Sequence, residues 1–590
     1  MGEMPIDVAM DYPPSDPYEL PVDSFDTSST SGLIQATYAS GVIATKKRGP
    51  WVLVASAVAV LALVGGGGFF ALQAFTAVSQ APSTSMPPDT DVYFSVDLLQ
   101  LTGEDTTGAL VNTIRGVLGR LGEDINDPED LIADLDAQLQ ASAGFDFSND
   151  IQPWIGRTIG VGVLGGGWDP MDYTTTPDVL VAVEVRNEGE ARDFLETFRV
   201  SAGREGIVLA PIEYGGVDLL AWADAGTDAA IGVSDGMLLA GTTRAVQRGI
   251  DAQSGTSLAD NPAFAEVTAS LPDSRLFTGW IDAGFYRSLY EDLLTDFGEI
   301  SPDVELTQNS LDGWRGAALA VTVTDAGVAF DGVVLFEDGQ VPDWYTPELL
   351  GTGAVPALLP TDTLAFVEYG SPAGIWSSVA TSIMGLQSGY EDELDTFAEE
   401  LGFHPIDDFV AYLDGALGVA LLRSGDGLLA AETGYPIGLV GFVGTSSPDP
   451  VRASLSKLND LLADEGMPVS TSMVAGNEFY VFEDDGAEAV AYGVTGQRFL
   501  IGTSSNDLAR IGAGGPDLTT NPSFAAAIDA LPGEEYVVSF YADVAAMVDV
   551  FGAEGDVRVA LEPFTAVIAG TSIDGSVYRG SLMVLIDYDG

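Results

Sequence analysis

The sequence predicts an α+β protein: a single N-terminal transmembrane helix followed by two tandem homologous domains, each a largely antiparallel sheet with packed helices. Three observations carry this. Residues 51–75 hold no charged side chain and follow closely on Lys46, Lys47 and Arg48. Matching sequence pieces then recur in the same order in the two halves of the chain. Within each half, β-branched stretches alternate with amphipathic ones, and each half closes in a hairpin pattern.

The uncharged run is 25 residues long. As a helix it reaches roughly 37 Å, more than the ~30 Å hydrocarbon core of a bilayer. The basic triplet holds the N-terminus in the cytoplasm by the positive-inside rule, so the rest of the chain is exported. A cleaved secretory signal is the other reading of such a stretch, but its apolar core is only about 7–15 residues and its leader short and basic. Here a long, mostly acidic leader precedes the run. The expected organisation is a disordered acidic cytoplasmic tail (1–48), the transmembrane helix (49–78), a linker (79–86), a first exported domain (87–339), a second linker (340–354) and a second exported domain (355–590). The tail is rich in Pro, Ser, Thr and acids and shows neither helical nor strand periodicity.

Charge narrows the partners. The 590 residues hold 88 acids and 22 Lys plus Arg, a net charge of −66. Seven of the acids and three of the bases precede Trp51, which leaves 81 acids against 19 bases, a net of −62, in the exported part. Such a field repels nucleic acid and anionic lipid surfaces and gathers cations as counterions. Membrane contact is expected through residues 51–75 alone. Lysine occurs only at Lys46, Lys47 and Lys457. Adaptation to concentrated salt, in which counterions screen the carboxylates, and a codon bias toward Arg, Ala, Gly and Asp both account for that pattern. With no cysteine, disulfides, thiol catalysis and thiolate-bound zinc are absent.

In chain order, strand character falls at 92–96, 158–164, 179–185, 229–233, 237–240, 276–281, 317–324 and 328–336, and helical character at 130–140, 188–199 and 262–270. Asn261 is placed to cap the last of these helices, with Pro262 in the first turn, where its missing N–H costs nothing. Phe264, Val267 and Leu271 share one face of it, as do Phe524, Ile528 and Leu531 in the second copy. Pro88–Phe94 is echoed by Pro360–Phe366, residues 144–185 lie ungapped on 402–443, and Gly241-Thr242 recurs as Gly502-Thr503. Asn261-Pro262-Ala263-Phe264 recurs as Asn521-Pro522-Ser523-Phe524, and each is followed by Leu-Pro, at Leu271-Pro272 and Leu531-Pro532. Asp325-Ala326-Gly327 and Asp574-Gly575 mark the closing hairpins.

This tandem pattern, with a Pro-Asp-Thr strand opening, an Asn-Pro-x-Phe helix ending in Leu-Pro and an N-terminal anchor, resembles an uncharacterised bacterial membrane-anchored domain-of-unknown-function family (DUF3352-like). The resemblance covers most of residues 85–590 and implies a membrane-anchored envelope protein. It brings no activity and no catalytic residue with it.

Motifs with chemical meaning dissolve on inspection. Gly160, Gly162 and Gly165 fit the dinucleotide pattern, but they sit inside a strand instead of at a strand-to-helix turn, and the second copy loses them. Gly232-Val233-Ser234-Asp235-Gly236 fits a hydrolase elbow, yet lies between two apolar runs as a hairpin turn does. His404, the single histidine, precedes Pro405 and aligns with Asp146, a capping position. The acid clusters at 123–130 and 483–485 lack the EF-hand spacing and read as solvated loops. Carboxylate pairs suited to glycoside hydrolysis must arise throughout so acidic a chain and so discriminate nothing.

No catalytic, cofactor-binding or metal-binding residue is therefore assigned, and no cofactor is expected. The expectation is a single-pass cell-membrane protein with duplicated extracytoplasmic domains that bind a protein partner or ligand without catalysis. A carrier of a lipid or other apolar envelope molecule is the first alternative, a carboxylate-based hydrolase the second. The acid excess yields one prediction. Thermal unfolding of the protein should shift to a higher midpoint between ~10 mM and ~1 M salt, and an unchanged midpoint would remove the case for salt adaptation.

Overall fold

A computed structural model describes residues 81–98, 144–165, 177–204, 207–224, 227–288, 313–341, 351–373, 402–467, 469–484, 486–533 and 536–588, with single positions between 116 and 141 and at 398–399. The expected anchor at 51–75 and the tail before it lie outside the described residues. Among the described residues no helix is long and apolar enough to cross a membrane.

Among the described residues, twenty strands carry the fold. In the first half they are β1 (Thr90–Asp97), β2 (Ile155–Leu164), β3 (Asp178–Val185), β4 (Ala210–Tyr214), β5 (Val217–Asp224), β6 (Thr227–Ser234), β7 (Met237–Gly241), β8 (Phe277–Asp282), β9 (Trp314–Thr324) and β10 (Gly327–Phe336). In the second they are β11 (Thr363–Tyr369), β12 (Leu417–Arg423), β13 (Ile437–Gly444), β14 (Ser470–Val474), β15 (Asn477–Asp484), β16 (Ala487–Thr495), β17 (Arg498–Gly502), β18 (Val537–Asp543), β19 (Phe564–Asp574) and β20 (Val577–Ile586). All described pairings are antiparallel. They run β4-β5-β6-β7-β3-β2-β1-β8-β9-β10 in the first half. The same order, β14-β15-β16-β17-β13-β12-β11-β18-β19-β20, holds in the second. β10 then pairs with β20 over nine residues. The expectation of a separate sheet in each domain is thus corrected. Each half ends in a strand whose outer edge is unpaired, and the two edges satisfy each other's N–H and C=O groups, so the strands form one sheet.

Helices α1 (Glu188–Arg204), α2 (Thr243–Ser254), α3 (Pro262–Ala269), α4 (Pro448–Asp464), α5 (Ser505–Arg510) and α6 (Pro522–Ala530) pack on this sheet. α1 runs past the expected 188–199, whereas most of the expected helix at 130–140 lies outside the described residues. α2 and α3 bury Val246, Ile250, Phe264 and Val267 against Leu180, Ala182 and Leu239 on one face. On the same face, α5 and α6 bury Leu508, Phe524 and Ala527 against Val440, Phe442 and Leu500. α1 and α4 lie on the other face, over the β3 and β13 wings.

The repeated motifs hold the helices to the strands. Asn261 Oδ1 accepts from Ala263 N at 3.0 Å and Phe264 N at 3.2 Å, while its Nδ2 donates to Pro88 O at 3.1 Å. Asn521 accepts from Ser523 N at 2.8 Å and Phe524 N at 3.2 Å, and donates to Thr361 O at 2.8 Å. One side chain both caps a helix and ties it to the opening of the first strand. Arg248 pairs with Asp89 there, and Arg510 with Asp362. Gly241 and Gly502 let strands approach, because a Cβ at either would meet a backbone oxygen of Val179 at 2.1 Å or Leu439 at 2.6 Å.

Two details of the sequence match are corrected. Thr90 Oγ1 donates to Pro87 O and Thr363 Oγ1 to Pro360 O, both at 2.7 Å, which places Tyr93 and not Phe94 opposite Phe366 in the comparison. Tyr93, Phe264 and Trp280 make edge-to-face contacts at 5.8 and 5.6 Å, and Phe366, Phe524 and Tyr541 meet at 6.0 and 4.9 Å. The ungapped match of 144–185 on 402–443 holds through Val161 and Val419 but slips by two before β3. Val181 pairs with Val161, whereas Gly441 pairs with Val419.

At the centre of the β10–β20 pairing, Asp331 faces Ser581. Asp331 is 4% exposed, and neither of its carboxylate oxygens has a hydrogen bond among the described residues. Burial pushes the carboxyl above the usual carboxylate range, and the facing Ser581 hydroxyl, close but not in hydrogen-bond geometry, offsets this only in part. A group raised in the folded state destabilises it increasingly as pH rises above the unfolded value of about 4.

Two predictions follow from these contacts. Asp331→Asn should raise the unfolding midpoint at pH 7–8 and leave it unchanged at about pH 3, where both states carry the neutral acid; an equal shift at both pH values would refute the assignment. Asn521→Ala removes a cap and a cross-link together and should cost about 1–2 kcal/mol in denaturant unfolding, against a few tenths if the side chain were merely solvated.

Candidate functional site

The sheet is covered unequally. On the face away from α2, α3, α5 and α6, among the described residues α1 and α4 lie over the wings, Phe147 and Trp154 pack beside Val96 and Val161, Met547 and Val550 pack against Leu421 and Ile437, and the central strands present apolar side chains. One cross-strand row runs Val96, Phe277, Val321, Phe330, Leu582, Ala569, Phe540, Val367 and Val419, directly opposite one another and without a polar member. Phe94, Leu319, Phe330, Leu582, Val419, Leu439 and Ile501 on this face are 36–44% exposed. Alternation explains their position, since residues facing the helices on the same strands, such as Tyr93, Ala320, Met583 and Tyr541, are buried. Gly332 and Gly580 lie opposite each other beside the row, and a Cβ on either would meet no atom closer than 3.9 Å, so the surface dips there.

The second concave feature lies on the helix-covered face of the first half. A cleft of about 270 Å³ opens between residues 81–83, β1, β8 and the C-terminal end of α3, lined by Ser83, Ser95, Thr158, Thr268, Thr278 and Arg275 among others. Asp97, at its wall, receives both Nε and Nη2 of Arg157, with Nε at 2.8 Å from each carboxylate oxygen. Glu184 behind it accepts from Arg157 N at 2.9 Å, Thr158 N at 3.0 Å and Thr158 Oγ1 at 3.1 Å. It occupies the irregularity between Ile155 and Ile159, where ladder bonding to β3 lapses. Burial raises the Glu184 carboxyl, and these donors and the Arg157 charge oppose the rise. Burial pushes the Tyr93 phenol up to about 12 and lowers the Arg275 guanidinium. Above the start of β1, burial and then Asp282 and Asp89 push Asp91 up to about 6. A third hollow of about 410 Å³ lies between α1 and the β4–β6 strands, with Arg192, Glu196, Asp218 and Ser234 on its walls.

The residues singled out in the sequence fall into structural places. Gly160 and Gly162 lie within β2, where a Cβ would strike Pro82 at 2.5 Å or Met86 Sδ at 2.6 Å, so they make room for the chain crossing the sheet. Ser234 ends β6, Asp235 and Gly236 turn at φ 45° and 73°, and Ser234 Oγ donates to Gln253 at 2.7 Å. His404 Nδ1 accepts from Asp407 N at 3.1 Å while its backbone N–H donates to Asp408 Oδ2 at 2.8 Å. Asp146 repeats both bonds, with Asn149 N and Asp150 at 2.8 Å each. Glu483 and Asp484 close β15, and 123–130 lies outside the described residues. Among the described residues no three acid or histidine side chains converge on a metal-sized point.

Sequence reasoning missed β4, β5 and α2. Gly215-Gly216, both at positive φ, and Thr242, which accepts from Ala245 N at 3.1 Å, were the local signals for them. The cleft had no local signal, because its walls come from four distant stretches.

No curated protein matches the chain. Among solved structures it is similar to crystal form I of TP0453, at 8% identity and a TM-score of 0.22 over 45% of this chain and 82% of that one. Crystal form IV of TP0453 gives 10% identity and a TM-score of 0.23 over 44% and 81%. The family described as Protein of unknown function (DUF3352) matches residues 128–559, and the chain belongs to that family.

Proposed function

We propose that the chain is a membrane-anchored extracytoplasmic binding module, with residues 51–75 as its anchor, two homologous domains at 87–339 and 355–590, and no catalytic role. Its open sheet face docks a protein partner. The observation that carries this reading is the unbroken apolar row from Val96 to Val419, with Phe330 and Leu582 standing exposed at its middle. A contiguous apolar surface on so acidic a chain marks a contact site. A broad pleated face suits another protein's helix or sheet, because an acyl chain laid on it would keep half its surface in water. The net charge of −66 favours a partner whose contact rim is basic. The side chains repeated between the halves, Asn261 and Asn521, Arg248 and Arg510, are occupied by capping and packing, which supports a binding role over catalysis.

The test is photocrosslinking in intact cells, with benzoylphenylalanine at Phe330 or Leu582 and, as control, at Val208, which is 81% exposed and lies between α1 and β4, outside the row. A discrete protein adduct from the first two positions and none from Val208 is expected. A lipid adduct would replace the reading with a carrier. Crosslinks only within the chain would show the face to be covered from inside and overturn the docking surface.

A further inference from the structure

We infer that the cleft beside β1 in the first half binds a small hydroxylated carboxylate, whose anionic end meets Arg275 and Ser95. This inference stands apart from the docking face, which lies on the other side of the sheet.

The second half shows what the same space accepts. By strand pairing and the Thr90–Thr363 correspondence, Ser95 on β1 stands where Glu368 stands on β11. Glu368 is 1% exposed, and its carboxylate takes hydrogen bonds from Thr352 N at 2.6 Å, Gly353 N at 2.9 Å and Val355 N at 3.3 Å. The second half therefore carries its own carboxylate in the gap between its first strand and the segment leading into it. In the first half that gap is the cleft, lined by residues 81–83 and closed by no acid from Ser95.

The remaining walls suit an anion bearing hydroxyls. Arg275 donates Nη1 to Thr268 O at 2.9 Å, and among the described residues it forms no ion pair. Its guanidinium thus lines the cleft with donors to spare; burial disfavours its charge, and Asp273 at the rim only partly offsets this. Arg157 already neutralises the acid at the wall, Asp97, and Asp273 is exposed at the rim. The hydroxyls of Ser95 and Thr278 can donate or accept, and that of Thr158, which donates to Glu184, can accept, as a polyhydroxylated ligand requires. The charged network at the wall is particular to the first half: where it has Asp97, Arg157 and Glu184, the second has Gly370, Gly415 and Gly444, and Gly415 packs on Gly444 with N–H to O at 3.0 Å. At about 270 Å³ the cleft lies just below the usual range of ligand sites, which limits the ligand to roughly 10–15 heavy atoms.

The experiment is calorimetric titration of the full chain in detergent micelles with glycerate, tartrate and glucuronate, and with glucose as the neutral comparison. Saturable binding of at least one acid, with none of glucose, is expected. Arg275→Gln should weaken it roughly tenfold or more in a protein that still unfolds in one cooperative transition. Ser95→Glu, which gives the first half the carboxylate its counterpart already has, should abolish binding in a folded protein. Absence of binding by all three acids up to about 10 mM, equal binding of glucose, or undiminished affinity in Arg275→Gln would each overturn the inference.

Discussion

Everything in this molecule is organised about the pairing of β10 with β20. Each half arranges ten strands in the same order and finishes with a strand whose outer edge has no partner of its own. An unpaired edge of that length leaves a row of N–H and C=O groups to water or to another chain. Joining the two edges makes both halves parts of one sheet, aligns their apolar rows into one, and moves the sheet's free edges out to the short strands β4 and β14. The continuous apolar row exists only because this junction is in register.

The halves share the devices that fold them and differ at the wall of the cleft. An asparagine caps a helix while gripping the strand opening, an arginine on the preceding helix reaches the neighbouring aspartate, and three aromatic rings interlock beneath. These contacts fix the helix over the sheet by hydrogen bonds and ring packing that tolerate little substitution. At the far end of β1 the agreement stops. A charged network of Asp97, Arg157 and Glu184 in one half corresponds to three glycines in the other, and an open cleft corresponds to a buried glutamate.

Much of this was legible in the sequence. The α+β character followed from alternation and turn residues, and the Asn-Pro-x-Phe helix, its cap and its inward face are where Asn261 and Phe264 said they would be. A capping place for His404 and a turn at Asp235 and Gly236 were read from neighbours in the chain. What failed was whatever depends on register. Phe94 and Phe366 look equivalent by residue type, yet one faces the open side and the other the core, because a slip of one residue reverses the face of a strand. The single sheet was equally hidden: nothing in β10 or β20 alone names its partner, as an edge is a backbone property. The cleft escaped for a related reason, since Ser83, Ser95, Thr158 and Arg275 converge only through pairing.

The register of the central pair also bears on how molecules recognise themselves. Because the halves are built alike, β10 of one molecule offers β10 of another almost the same edge that β20 offers within the chain. The internal pairing sets Asp331 against Ser581. A homotypic pairing in the same register would set Asp331 against Asp331, two buried carboxyls with no cation between them, and like charges facing across strands repel. One acid at the symmetric position thus biases the sheet toward closing within a single molecule and away from strand exchange during synthesis. The same unpartnered carboxyl that weakens the junction makes it choose the right partner.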